Sequence, residues 1–205
     1  MIRVSFGDVN VSAMGEDFIF RPTFINALKL GSPKEIVKTF SDIHMLDAKQ
    51  EILSSEYASE YLKSFVKRIL PTACYVLANC CDDDCSDLVG TFNGTKYRAG
   101  LLPIDDIVVI SKHLLKHMII GKPDNKKQSK NNEYSDEFDV AELVDIAMLN
   151  LGLSEQEALS LSMTRFQSMV KIKYPEPHSD IPSDQEYDDC MAWSEKVSKA
   201  REAMH

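Results

Sequence analysis

Residues 138–174 read FDVAELVDIAMLNLGLSEQEALSLSMTRFQSMVKIKY, and they constrain the fold more than any other stretch of the chain. Apolar residues recur there at helical spacing in three successive runs. In the first, Val140, Leu143, Val144, Ala147, Met148 and Leu151 make one apolar stripe. Gly152 stands where a left-handed C-cap residue ends such a helix. Ser154 and Glu157 have the Ser-x-x-Glu spacing of a capping box, which starts a short second helix. A third start follows at Ser162, with Met163, Phe166, Met169 and Val170 as its apolar face. Pro175 closes it, because the residue before proline disfavours helical geometry. The pattern predicts a compact helical hairpin, built to pack and to bind, with few polar groups that could do chemistry.

The chain before it begins with alternation. Ile2, Val4 and Phe6 face one way; Gly7-Asp8 can turn the chain; Val9, Val11 and Ala13 resume; Phe18 and Phe20 flank Ile19. This predicts a small antiparallel sheet of two or three strands, which must pack on helices to be stable. Pro22 then opens a short helix carrying Phe24, Ile25, Ala27 and Leu28. Ser32-Pro33-Lys34-Glu35 starts another, with Ile36, Val37, Phe40 and Ile43 as its buried face. Residues 51–81 keep a helical pattern through Tyr57, Tyr61, Leu62, Phe65, Val66 and Ile69. Pro71 is expected to break or kink the run, and a second segment then carries Cys74, Val76, Leu77 and Cys80. Asn93-Gly94 between Phe92 and Tyr97 suggests a hairpin or a loop. From Pro103 to Gly121 the pattern is again helical. Asp105 and Asp106 lie in its first turn, Lys112, Lys116 and His117 toward its end, and Ile107, Ile110, Leu114 and Met118 form its core stripe.

The fold class expected is mainly α with a small N-terminal antiparallel β-sheet. Four regions are expected. An N-terminal hairpin and helical domain spans 1–121, a polar linker 122–137 and a helical C-terminal subdomain 138–175. Residues 176–205 give an acidic linker and a terminal helix with Tyr187, Cys190, Met191, Val197 and Met204.

Composition narrows the chemistry. A net charge of -9 argues against nucleic acid as a partner, because duplex binding rests on neutralising phosphates with Lys and Arg. No apolar run approaches the roughly 20 residues that span a bilayer, and the N-terminus has no apolar core of a secretory signal. Five cysteines, Cys74, Cys80, Cys81, Cys85 and Cys190, form an odd and clustered set, read as free thiols in a reducing cytosol. Neither the cysteines nor His113 and His117, at i and i+4, have a zinc-site spacing. Asp82-Asp83-Asp84 with Asp87 lacks the interleaved ligands of a calcium loop and reads as a solvated acidic turn. No nucleophile elbow or phosphate-binding glycine loop is present in the sequence. The reading is a protein that is not an enzyme, with no catalytic residue, metal or cofactor.

The order of these segments carries a resemblance: an N-terminal sheet, FIFRPTFINALKLGSPKEIV, a helical middle ending KYRAGLLPIDDIVVISKHLLKHMIIG, a polar joint, and LGLSEQEALSLSMTRFQSMVKIKYPEP. Over residues 18–175 it resembles the tail assembly chaperones of long-tailed bacteriophages, and LSLSMTRFQSMVKIKY is similar to the short helical motif of their C-terminal extension. The resemblance implies a non-enzymatic chaperone in the cytoplasm of the infected bacterial host. Such a protein coats the helical tape-measure protein, recruits tail-tube subunits and associates with itself. A structural virion component, a connector or minor tail protein, is the alternative. A Met-rich helical face suits a helix-in-groove partner, so the expected partner-binding residues are Leu159, Met163, Phe166, Met169, Val170 and Tyr174; Met163, Phe166, Met169 and Val170 read alternatively as core, and the two readings agree if the face packs internally at rest and opens on binding.

Overall fold

The computed structural model describes residues 6–44, 58–93, 96–122, 136–175 and 187–194, with side chains from Ser64 onward in the helix that begins at Ala58. The fold is α+β and mainly α. Strands β1 (Val9–Ala13) and β2 (Glu16–Phe20) form an antiparallel hairpin in which Val9 faces Phe20 and Ala13 faces Glu16 across the two-residue Met14-Gly15 turn. Phe18 and Phe20 are buried, so the alternation delivers one apolar face to the core. Ile2 and Val4, the front of the expected sheet, lie outside the described residues.

Helix α1 (Phe24–Lys29) starts after Thr23, not at Pro22. It buries Phe24 and Ala27, whereas Ile25 and Leu28 point outward and are 46% and 47% exposed. A helix of under two turns can bury only one narrow stripe. Helix α2 (Pro33–His44) has the expected start: both the amide and the hydroxyl of Ser32 donate to Glu35 Oε2, each at 2.8 Å. These bonds hold the Glu35 carboxyl below its usual range. Ile36 and Ile43 are buried, and Phe40 stacks on His44 at 4.0 Å.

Helix α3 (Ala58–Cys80) runs through Pro71 without a break, against the expected interruption. Pro71 is on the exposed side and withholds only its own amide. The opposite face carries Phe65, Ile69, Leu70, Ala73, Val76, Leu77 and Cys80, all buried. That burial holds the helix continuous across the missing bond. Tyr57 lies outside the described residues, as do the side chains of Tyr61 and Leu62. The short α4 (Ser86–Val89) leads to a second antiparallel hairpin, β3 (Gly90–Asn93) with β4 (Lys96–Ala99), in which Phe92 and Tyr97 pair with ring centroids 5.1 Å apart.

Helix α5 (Ile104–Leu115) packs against α3 and α2 and buries Ile107, Val108, Leu114 and Leu115. Its last part is not α-helical: Lys116–Ile120 form a π-helical turn, which the periodic pattern did not foretell. Helix α6 (Val140–Leu151) is capped by Asp139, whose Oδ1 accepts from the Ala141 and Glu142 amides at 2.9 and 3.3 Å. It stops at Gly152, whose φ of 72° is the left-handed cap that a side chain would strain. Helix α7 (Glu155–Leu159) has both halves of the Ser154/Glu157 capping box, and α8 (Met163–Lys173) ends just before Tyr174-Pro175.

Two compact units result, residues 1–173 and 174–205. The region 138–173, which the sequence sets apart behind a polar joint, lies in the same unit as 1–121. Three bonds show why. The Phe24 amide donates to Leu161 O at 2.8 Å, the Phe138 amide donates to Pro33 O at 3.3 Å, and Lys34 pairs with Glu137 at 3.2 Å. Helices α1, α6 and α7 thereby share one apolar core. In the second unit, residues 187–194 form a helix with Tyr187, Met191 and Trp193 exposed; Val197 and Met204 lie outside the described residues.

Candidate functional site

The residues expected to bind a partner divide by face of α8. Met163 and Phe166 are both only 8% exposed. The Phe166 ring meets the Phe24 ring edge-on, with centroids 6.1 Å apart and planes at 63°. This pair packs as core. The reason lies in α1: its buried stripe is Phe24 and Ala27, and the inward face of the C-terminal helices covers it. Leu159, Met169 and Val170 are half-buried against the same core. Tyr174 is exposed, in the second unit.

The outward side of the hairpin carries apolar residues that the periodic reading missed. Leu149 on α6 is 85% exposed and Ile172 on α8 is 80% exposed. The two helix ends that bear them are tied together, because the Lys173 ammonium donates to the Asn150 carbonyl. The signal in the sequence was partial: Ile172 is the large apolar residue left off the stripe of α8, whereas on α6 the stripe leaves off both Leu149 and Ile146, and Ile146 packs on the core.

The polar clusters have other geometry. Cys74, Cys80, Cys81 and Cys85 are buried free thiols, and Cys190 is exposed. Burial pushes the Cys74 thiol up to about 11 and those of Cys80 and Cys85 to about 12, which leaves them protonated and poorly nucleophilic at neutral pH. His113 and His117 lie ring to ring at 4.5 Å. Among the described residues there is no group of three or more His, Cys, Asp or Glu side chains that could hold a metal ion. The Asp84 carboxyl accepts from the Ser86 amide at 2.9 Å and is held below its usual range. This is the chemistry of a helix-starting turn.

A groove of about 490 Å³ runs between the β1–β2 turn and the β3–β4 hairpin, lined among others by Met14, Asp87, Arg98 and Leu101. A smaller one, of about 280 Å³, is lined by Cys74, Asp83, Asp84, Cys85 and Phe92. Its thiols are among those raised by burial, so it lacks an activated nucleophile. No helix of the described residues is long and apolar enough to cross a membrane.

No curated protein and no solved structure matches this chain. A family model does match, over residues 20–189, and by that coverage the chain belongs to DUF6246, a family of unknown function.

Proposed function

We propose that this protein is a non-enzymatic binding protein, a tail assembly chaperone of the long-tailed bacteriophage kind, acting in the host cytoplasm on the tape-measure protein and tail-tube subunits. The observation that carries the reading is the pair of bare apolar side chains, Leu149 and Ile172, on adjoining helix ends of the hairpin. Single exposed apolar residues are ordinary. Two aliphatic side chains at 85% and 80% exposure on tied helix ends offer an anchor for the apolar stripe of a helical partner. Half-buried Met169 and Val170, on the same helix as Ile172, supply an adaptable margin. In this reading the binding face is the outer side of α6 and α8, with Met163 and Phe166 as its support from within.

The test is capture of partners by the tagged protein from infected cells during assembly, beside the double variant Leu149→Asp/Ile172→Asp. Recovery of a very long, helix-rich protein by the wild type, its loss in the variant, and absence of the chain from mature particles are expected. Retention in purified particles would assign the chain to the virion structure instead. Equal capture by the variant would remove this face from the reading.

A further inference from the structure

The hairpin is held to the rest of its unit by a joint around the π-helical turn. His117 on that turn lies half-buried between two elements. On one side its Nδ1 is 2.7 Å from Thr164 Oγ1 on α8, a residue only 1% exposed. On the other side it meets Gly7. A Cβ at Gly7 would stand 2.4 Å from the His117 Cβ and Cγ, so the chain passes there with no room for any side chain. The same N-terminal segment is bound to the start of α8: Ser162 Oγ donates to Phe6 O at 3.0 Å, and the Arg165 guanidinium lies 4.3 Å over the Phe6 ring. Gln167, one turn along α8, donates from Nε2 to Ile120 O at 2.8 Å and accepts from the Lys122 amide at 3.0 Å. An imidazole thus sits at the centre of a three-way contact between residues 6–7, the π turn and α8.

Three basic groups oppose a charge on it. His113 on α5 stacks obliquely on the ring, Lys116 stands on the π turn, and Lys122 follows it. Helix α8 presents neutral Thr164 and Gln167, with Arg165 committed to Phe6. The N-terminal segment contributes Phe6 and Gly7, with Asp8 next along the chain. A π turn is a strained local choice, frequent where a helix must place one side chain for a purpose.

We propose that His117 is a proton-operated latch. Its neutral ring locks α8 to the π turn, and its protonation loosens α8 and uncovers the Met163 and Phe166 face. Protonation does not by itself destroy the Thr164 contact, since the hydroxyl can accept from an N–H. What it does is place a charge in a half-buried position faced by His113, Lys116 and Lys122. Desolvation, then the His113 charge, then the two lysines all hold the His117 pKa below 6.5. The latch regulates access to the face next to the proposed binding surface, and its use in chaperoning rests on that reading. The latch itself stands on the joint alone.

Hydrogen exchange on the whole protein, without any partner, tests it. After correction for intrinsic rates, α8 amides are expected to lose protection between pH 7.5 and pH 5.5, while α3 and α5 amides keep theirs. The loss approaches about tenfold for each unit by which the folded-state titration lies below 6.5. His117→Asn, which keeps a polar group near Thr164 and cannot titrate, should abolish the pH dependence. An unchanged α8 in the wild type, the same loss in the variant, or a loss spread evenly over α3 and α5 would each overturn the latch. Should the variant fail to fold, NMR titration of His117 in the wild type decides. A midpoint at or above 6.5, or α8 shifts that ignore that midpoint, refutes the proposal. Partner capture at neutral pH is independent of all these readouts, so failure of the latch leaves the chaperone reading standing, and the reverse.

Discussion

Phe166 comes from the last helix of the first unit and meets Phe24 in its first helix. Truncating a buried aromatic removes its transfer free energy and leaves a cavity, a loss of about 3–5 kcal/mol. Phe166→Ala should therefore lower the unfolding free energy by about that amount in a urea titration, and Phe166→Asp should unfold the protein outright. Ile172→Asp, on the same helix but 80% exposed, should change stability by less than about 0.5 kcal/mol. If the order were reversed, the division of α8 into an inner and an outer face would be wrong. The thiols divide in the same way: Cys190 is exposed, and Cys74, Cys80, Cys81 and Cys85 are buried. A chromogenic disulfide reagent should modify Cys190 rapidly in the native protein and the remaining four only after denaturation.

Among the elements, those written in local chemistry were legible in the sequence. The Ser154/Glu157 box, the Gly152 stop and the Ser32/Glu35 start each depend on residues within a few positions of one another, and each is present; of the hairpin or loop read at 93–94, the flanking strands β3 and β4 pair. What the sequence hid was set by distant partners. Pro71 reads as a break, but the apolar face of α3 packs on α5 and keeps the helix whole. The Lys116–Ile120 turn leaves α-helical geometry where Gln167 and Thr164, some 50 positions away, take its polar groups. That Met163 and Phe166 pack inward could not be settled from their own helix, because it depends on where Phe24 stands. The division of α8 into a buried and an exposed side was correspondingly half legible: the helix could be read, but which of its apolar residues turn inward could not. Two substitutions test the energetics of these elements. Ser154→Ala removes one half of the capping box and should cost about 1 kcal/mol. Pro71→Ala restores an amide donor at an exposed helical position and should stabilise by about 1–3 kcal/mol, the interior-proline penalty less the entropy gained by the unfolded chain. A neutral or negative result there would mean that α3 is bent around Pro71 in a way its packing requires.

For the molecule as a whole, titrating groups bound the stability on both sides. On the acid side, the folded-state pKa of His117 lies below 6.5, so the unfolded chain takes up its proton first. The stability held by the neutral ring is full above pH 6.5 and is lost as pH falls through the folded value. The carboxylates held low by helix-start bonds, Glu35, Glu157 and Asp84, begin to matter only below their ordinary values of 4.5, 4.5 and 3.8. The window from pH 6.5 down to about 5 therefore isolates the imidazole from these carboxylates. On the alkaline side the sign is opposite in mechanism but not in result. Cys74, Cys80 and Cys85 ionise near 9.0 when unfolded and near 11 to 12 when buried, so the unfolded chain gives up its protons first. Their contribution is complete below pH 9 and drains away as pH rises toward the folded values. Urea titrations under reducing conditions should trace a plateau between pH 6.5 and 9 with a decline at each end. His117→Asn should flatten the acid shoulder alone, and Cys80→Ala should soften the alkaline one alone. Shoulders that respond to the opposite substitution would mean that the joint and the thiol cluster are not the groups through which this fold senses protons.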